Sequence, residues 1–144
     1  PELMLLETNI DDSTGEVLGY VHELLMDLGV LDAWFMPIQM KKNRPGVMLS
    51  VLVGRELVDE AAELIFKETS TLGIRRQPVR RYEAEREVVE VDTEFGKVPV
   101  KLKRMGGKVV QVAPEYEACR KIARETGVPL AEVMLIASDA FRSG

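Results

Sequence analysis

The chain has 144 residues, 46% of them hydrophobic and 30% charged, with a formal net charge of −5. That length and apolar content suit one compact domain, or a small domain with an extension, and exclude intrinsic disorder. Interleaved charges on an acidic chain provide no basic field for general nucleic-acid binding, so no nucleic-acid partner is expected.

The first expected element is a buried strand in the apolar run Leu3 to Leu6. From Ser13 to Leu28 the residues Val17, Leu18, Val21, Leu24, Leu25 and Leu28 recur at three- and four-residue steps, which predicts an amphipathic helix with Gly29 as its stop. Ser13-Thr14-Gly15-Glu16 matches the S-x-x-E capping box, so Ser13 is the expected N-cap. LDAWFMPIQM and GVMLSVLVG read as the second and third strands, joined through the polar insert KKNRPG as a hairpin. A second amphipathic helix follows, with Leu57, Val58, Ala61, Leu64 and Ile65 on one face. After the hydroxyl-rich ETST, GIRRQPVRRYE predicts a fourth strand, and Pro78 assigns it to a sheet edge.

The fold class is therefore α+β, a ferredoxin-like βαββαβ sheet over residues 1–83. Residues 84–144 form a β-hairpin and two-helix extension, expected to pack with the first part as one domain. In it REVVEVD and KVPVKLK alternate around the turn TEFG, and KVVQVA adds a short strand after Gly107. Two helices finish the chain, with Pro114 and Pro129 expected at first helical positions and Gly127 as a stop.

The single cysteine, Cys119, lies in a helical pattern that would bury it, which leaves neither an intrachain disulfide nor a cysteine metal cluster and fits a reducing, cytoplasmic setting. No apolar run approaches the roughly 18 residues of a membrane span, and PELMLLE lacks the basic start of a secretory signal. Because residue 1 is Pro rather than Met, the chain is expected to be a piece of something longer.

In a ferredoxin-like sheet the first two strands are parallel and the third lies antiparallel between them, so three connections share one edge. Those connections are TNIDD, KKNRPG and ETST. One edge would then collect Asp11 and Asp12, the cations Lys41, Lys42 and Arg44, the hydroxyls of Thr69, Ser70 and Thr71, and Arg75 just inside the fourth strand. The mixture suits a metal-bound polyphosphate: Mg or Mn takes one or two carboxylates plus phosphate oxygens, and Lys and Arg neutralise the remaining charge. Each loop alone also has a structural reading, because acidic residues are favoured near helix starts and polar inserts suit turns.

Other positions carry less. His22, the only histidine, lies within the first helix and has no partner histidine for a metal site or triad, so it reads as structural. Lys97, Lys101 and Lys103 share one strand face, either as a solvated surface or as the lining of an anion site, and Arg80 and Arg81 adjoin them. Met26, Met36, Met40, Met48, Met105 and Met134 mostly read as gap-filling core residues, and Trp34 and Phe35 point to opposite faces of the second strand.

ETNIDD, KKNRPG and ETSTLGIR, followed by PEYEACRKIARETGVPLAEV, resemble the carboxy-terminal domain of the LarC family of nickel insertion proteins, in order and over essentially the whole chain. The resemblance implies a CTP-dependent, Mn-requiring cyclometallase, a lyase that inserts nickel into pyridinium-3,5-bisthiocarboxylic acid mononucleotide to make the nickel-pincer nucleotide cofactor. It further implies that this domain binds the metal–CTP complex and works with the amino-terminal domain of the same protein. Carried over residue by residue, Asp11 and Asp12 become metal candidates, and Thr8, Asn9, Lys41, Lys42, Arg44, Thr69, Ser70, Thr71 and Arg75 become nucleotide candidates; no catalytic residue is assigned. The histidine-rich sequence of that family's amino-terminal part has no counterpart here. A non-catalytic ligand-sensing or oligomerisation domain is the alternative, and a homo-oligomer is expected in either case.

Overall fold

The computed structural model describes residues 2–144. The backbone divides into a first compact unit ending at Arg81 and a second spanning Tyr82–Gly144. The first contains β1 (Leu3–Ile10), α1 (Gly15–Leu28), β2 (Asp32–Met40), β3 (Arg44–Gly54), α2 (Val58–Glu68) and β4 (Arg75–Val79). The strand order is β2-β3-β1-β4 with every pairing antiparallel, so β3 lies between the first two strands and β4 forms an edge.

Alternation along β1 explains the layering. Met4, Leu6, Thr8 and Ile10 are buried, and the register sets them beside Val53, Val51, Leu49 and Val47 of β3. Leu18, Val21 and Leu25 of α1 and Val58, Ala61 and Ile65 of α2 complete this core at helical spacing. Each fully buried Leu, Ile or Val contributes about 1.5–3 kcal/mol relative to exposure.

Several boundaries differ from expectation. β1 runs four residues past the apolar run, because Thr8 and Ile10 continue its buried alternation while Glu7 and Asn9 face the other side. Thr8 and Asn9 are therefore strand residues, not loop residues. The α1 cap is Thr14, not Ser13: Thr14 is extended (φ −75°, ψ 158°) and its Oγ1 accepts the Val17 N–H at 3.3 Å. The turn between β2 and β3 is only Lys41–Asn43, with Arg44, Pro45 and Gly46 already in β3. Gly46 is required there, since a Cβ would lie 2.8 Å from the Ile10 carbonyl oxygen and 2.5 Å from Met40 Sδ.

The second unit contains β5 (Glu85–Thr93), β6 (Gly96–Met105), β7 (Lys108–Pro114), α3 (Tyr116–Thr126) and α4 (Leu130–Ser143), with strand order β5-β6-β7. Val91, Val98, Val100 and Leu102 pack with Cys119, Val133 and Ala137 of the two helices. Pro114 ends β7, with Glu115 capping α3, and Pro129 is the α4 cap, so each proline sits before its helix instead of opening it. Both glycine stops occur where expected, Gly29 at φ 104° and Gly127 at φ 77°. Phe35 packs on the first core while Trp34 is exposed on the opposite face. Met134 fills the second core, whereas Met26, Met36 and Met105 are exposed, because their positions fall off the buried periodicity. His22 has a structural partner: its Nε2 donates to the Ala33 carbonyl at 2.8 Å. No helix among the described residues is long and apolar enough to cross a membrane.

Burial pushes the Cys119 thiol above its ordinary pKa, and the Glu115 carboxylate adds to the shift. The thiol thus stays neutral in the native state where an unfolded chain would ionise, and this contribution to stability is full below the ordinary thiol pKa and falls as pH rises past it. Alkylation of native protein is expected to stay slow through pH about 8.5 and to become fast on unfolding, which a thiol-reagent assay with and without urea reads directly. Urea denaturation is expected to show Thr14→Ala destabilised by about 1 kcal/mol and Ser13→Ala within about 0.5 kcal/mol of wild type.

Candidate functional site

The end of β1, the turn from β2 to β3 and the start of β4 bring their polar residues together in pairs. Each of TNIDD, KKNRPG and ETST contributes at least one partner. Ser70 Oγ donates to Asp12 Oδ1 at 2.5 Å. Asp11 Oδ2 faces Arg44 Nη1 at 3.8 Å, a long ion pair whose arginine side is open to water and screened by it. Arg75 Nη2 donates to Asn9 Oδ1 at 2.9 Å on the sheet face opposite the helices.

Thr8 anchors this edge. The residue is 1% exposed, its hydroxyl bonds the Gly73 carbonyl at 2.9 Å, and it shares a further hydrogen bond with the Thr71 hydroxyl. Hydrogen bonds so made offset the cost of burying the hydroxyl, and they tie the strand to the segment leading into β4. Thr69 shapes the same segment: its Oγ1 donates to the Ile65 carbonyl at 2.7 Å and receives the Thr71 N–H at 3.3 Å. That leaves Thr69 a turn former, with its hydroxyl already occupied.

Lys41 and Lys42 are exposed on the tight turn. Lys42 (φ 60°) and Asn43 (φ 58°) are both left-handed, a conformation common for Asn and disfavoured by about 1–2 kcal/mol for Lys. The Asn43 side chain accepts from Gln39 Nε2 at 2.8 Å and so holds the turn. Gly46 and Gly73 belong to the edge although neither carries a polar side chain. Gly46 was legible as a residue of the turn insert, but no pattern marks the Gly73 carbonyl as the partner of Thr8.

Among the described residues no group of three or more His, Cys, Asp or Glu side chains gathers to hold a metal ion. Asp11 and Asp12 instead give a hard, all-oxygen donor set of two carboxylates, beside the Ser70 hydroxyl and the Arg44 guanidinium. Such a set fits Mg or Mn carried by phosphate oxygens and water better than a resident all-protein cage.

Comparison with known proteins places the chain. The family described as "Nickel insertion protein" matches residues 1–134. A relative from Pelobacter propionicus is 54% identical over 136 residues, covering 94% of this chain and 35% of that protein. The pyridinium-3,5-bisthiocarboxylic acid mononucleotide nickel insertion protein of Thermotoga petrophila is 46% identical over 130 residues, covering 90% and 33%. The chain thus spans about a third of the length of these curated relatives. Among solved structures, the apo form of LarC2, the C-terminal domain of a cyclometallase in the synthesis of the NPN cofactor of lactate racemase, superimposes with a TM-score of 0.90 at 37% identity, covering 99% of this chain and 98% of that one. The sequence match and the shared fold agree on one conclusion: the chain belongs to the nickel insertion protein family and corresponds to its carboxy-terminal domain.

Proposed function

We propose that this chain, on a ferredoxin-like first unit, is the CTP-binding domain of a nickel-insertion cyclometallase that acts on pyridinium-3,5-bisthiocarboxylic acid mononucleotide. The observation that carries the reading is the juxtaposition of Asp11 and Asp12 with Arg44 and Ser70 at one sheet edge, in a chain of the nickel insertion family. Asp11 and Asp12 would hold Mn or Mg, which when bound screens phosphate charge. Arg44, with Lys41 and Lys42 on the adjoining turn, neutralises the remaining triphosphate charge and stabilises pyrophosphate as it leaves. Thr8 and Thr71 keep the edge rigid, Thr69 and Ser70 shape its lip, and Asn9 and Arg75 lie where they can meet the ribose or base.

Nickel is the metal inserted, hence a substrate. The chain has one histidine, bonded to the Ala33 carbonyl, and one cysteine, buried in the second core. Borderline metals favour imidazole and thiolate ligands, so nickel delivery is assigned to the amino-terminal domain of the full-length protein. Trp34 and Met36, exposed on the sheet face opposite the helices, favour self-association of the domain as an additional property.

Calorimetry with CTP, other nucleoside triphosphates and inorganic pyrophosphate, with and without Mn, tests the nucleotide reading. Saturable CTP binding that requires Mn is expected, and its absence overturns the proposal. Asp12→Ala is expected to remove the Mn dependence, and Arg44→Ala to weaken binding about 10-fold or more. Ser13→Ala, outside the site, should leave binding unchanged.

A further inference from the structure

The second unit holds a charge arrangement that metal–nucleotide binding does not use. Val98, Val100 and Leu102 of β6 face the core, so Lys101 and Lys103 lie on the opposite face of the sheet, as do Arg86 and Val88 of β5. The register sets Arg86 directly across from Lys103, and Lys101 across from Val88. On the other side their neighbours are neutral, Gln111 beside Lys103 and Ala113 beside Lys101. Like charges directly opposite on a sheet are unfavourable, and among the described residues none of these three cations is in an ion pair.

Two of the nearby acids are otherwise placed: Glu87 is taken by Arg104 at 3.0 Å on the core-side face and Asp92 is paired with Lys97 at 3.3 Å. Glu90 shares the cations' face opposite Pro99, and Glu83 and Glu85 lie at the rim of the concavity, where the cations still outnumber the acids. The β6–β7 register shifts between Lys103 and Arg104, and such irregularities re-aim side chains beside binding sites. A cavity of about 310 Å³ lies over Arg86, Lys101, Lys103 and Gln111. A second, of about 470 Å³, shares Glu85 and Lys103 with it and ends at Tyr82, whose ring is fully exposed.

We propose that this trough binds an aromatic mononucleotide, with its phosphate monoester on Arg86, Lys101 and Lys103 and its ring stacked on Tyr82. Three cations around a concavity match a phosphate dianion, and an exposed tyrosine face suits a ring, most of all a cationic pyridinium. The identification with the pyridinium mononucleotide that receives nickel rests on the function proposed above. The trough itself rests on its own residues.

Calorimetry with nicotinamide mononucleotide as probe, against nicotinamide riboside and inorganic phosphate, tests the trough. Wild-type protein is expected to bind the mononucleotide at one site, about 10-fold or more tighter than either fragment. The double variant Lys101→Gln/Lys103→Gln should lose about 10-fold or more of that affinity, and Tyr82→Leu should reduce it toward that of phosphate alone. Asp12→Ala should leave it unchanged. The same double variant titrated with Mn–CTP should behave as wild type, which shows that it is folded and that the two sites are separate. The proposal is overturned if wild type shows no saturable mononucleotide binding, if Asp12→Ala abolishes that binding, or if the folded double variant binds as wild type does. Failure of Mn–CTP to bind wild-type protein would instead count against the function proposed above, and the mononucleotide titration would still decide the trough.

Discussion

The antiparallel pairing of β1 with β3 on one side and β4 on the other is the constraint on which the first unit depends. β1 supplies Met4, Leu6, Thr8 and Ile10 to the core, and its last residues open into Asp11 and Asp12. Because side chains alternate with a period of two, a one-residue slip would turn that buried row toward solvent and bury Glu7 and Asn9 in its place. The register is therefore held by the hydrophobic effect. The same register sets the end of β1 beside the β2–β3 turn, where Gly46 lets the Ile10 carbonyl approach.

Thr8 shows how the core and the site are coupled. A hydroxyl at a buried position needs partners, and the Gly73 carbonyl and the Thr71 hydroxyl supply them, which draws the chain after α2 against the end of β1. Ser70 is thereby brought to Asp12. The bonds made by exposed groups, Asp11 with Arg44 and Arg75 with Asn9, contribute little to stability and leave charges accessible. Stability thus resides in the buried row and its hydroxyl, while the pairs on the exposed rim add little to it.

The second unit repeats the logic of a one-sided sheet. Its apolar face is closed by α3 and α4, with Cys119, Val133 and Ala137 packed onto Val98, Val100 and Leu102. Its other face concentrates Arg86, Lys101 and Lys103 at one end and the Asp92–Lys97 pair nearer the β5–β6 turn.

Periodicity and glycine placement in the sequence by themselves determined the elements and their order. The three-and-four spacing in α1 and α2, the alternation in β5 and β6 and the stops at Gly29 and Gly127 are local properties that need no partner to be read. The grouping of Asp11 and Asp12 with Arg44 and Ser70 was legible once the strand order was inferred, because the topology dictates which loops share an edge. Only the tertiary structure decided that β1 extends through Ile10, that Thr14 and not Ser13 caps α1, and that the β2–β3 turn is three residues long. Each of these depends on what lies across from the residue: Thr8 remains in the strand because Leu49 and Thr71 receive it, and Arg44 joins β3 because Met40 pairs with it. Side-chain chemistry along the chain states what a residue can do, and the neighbour brought to it by long-range pairing determines which of those things it does.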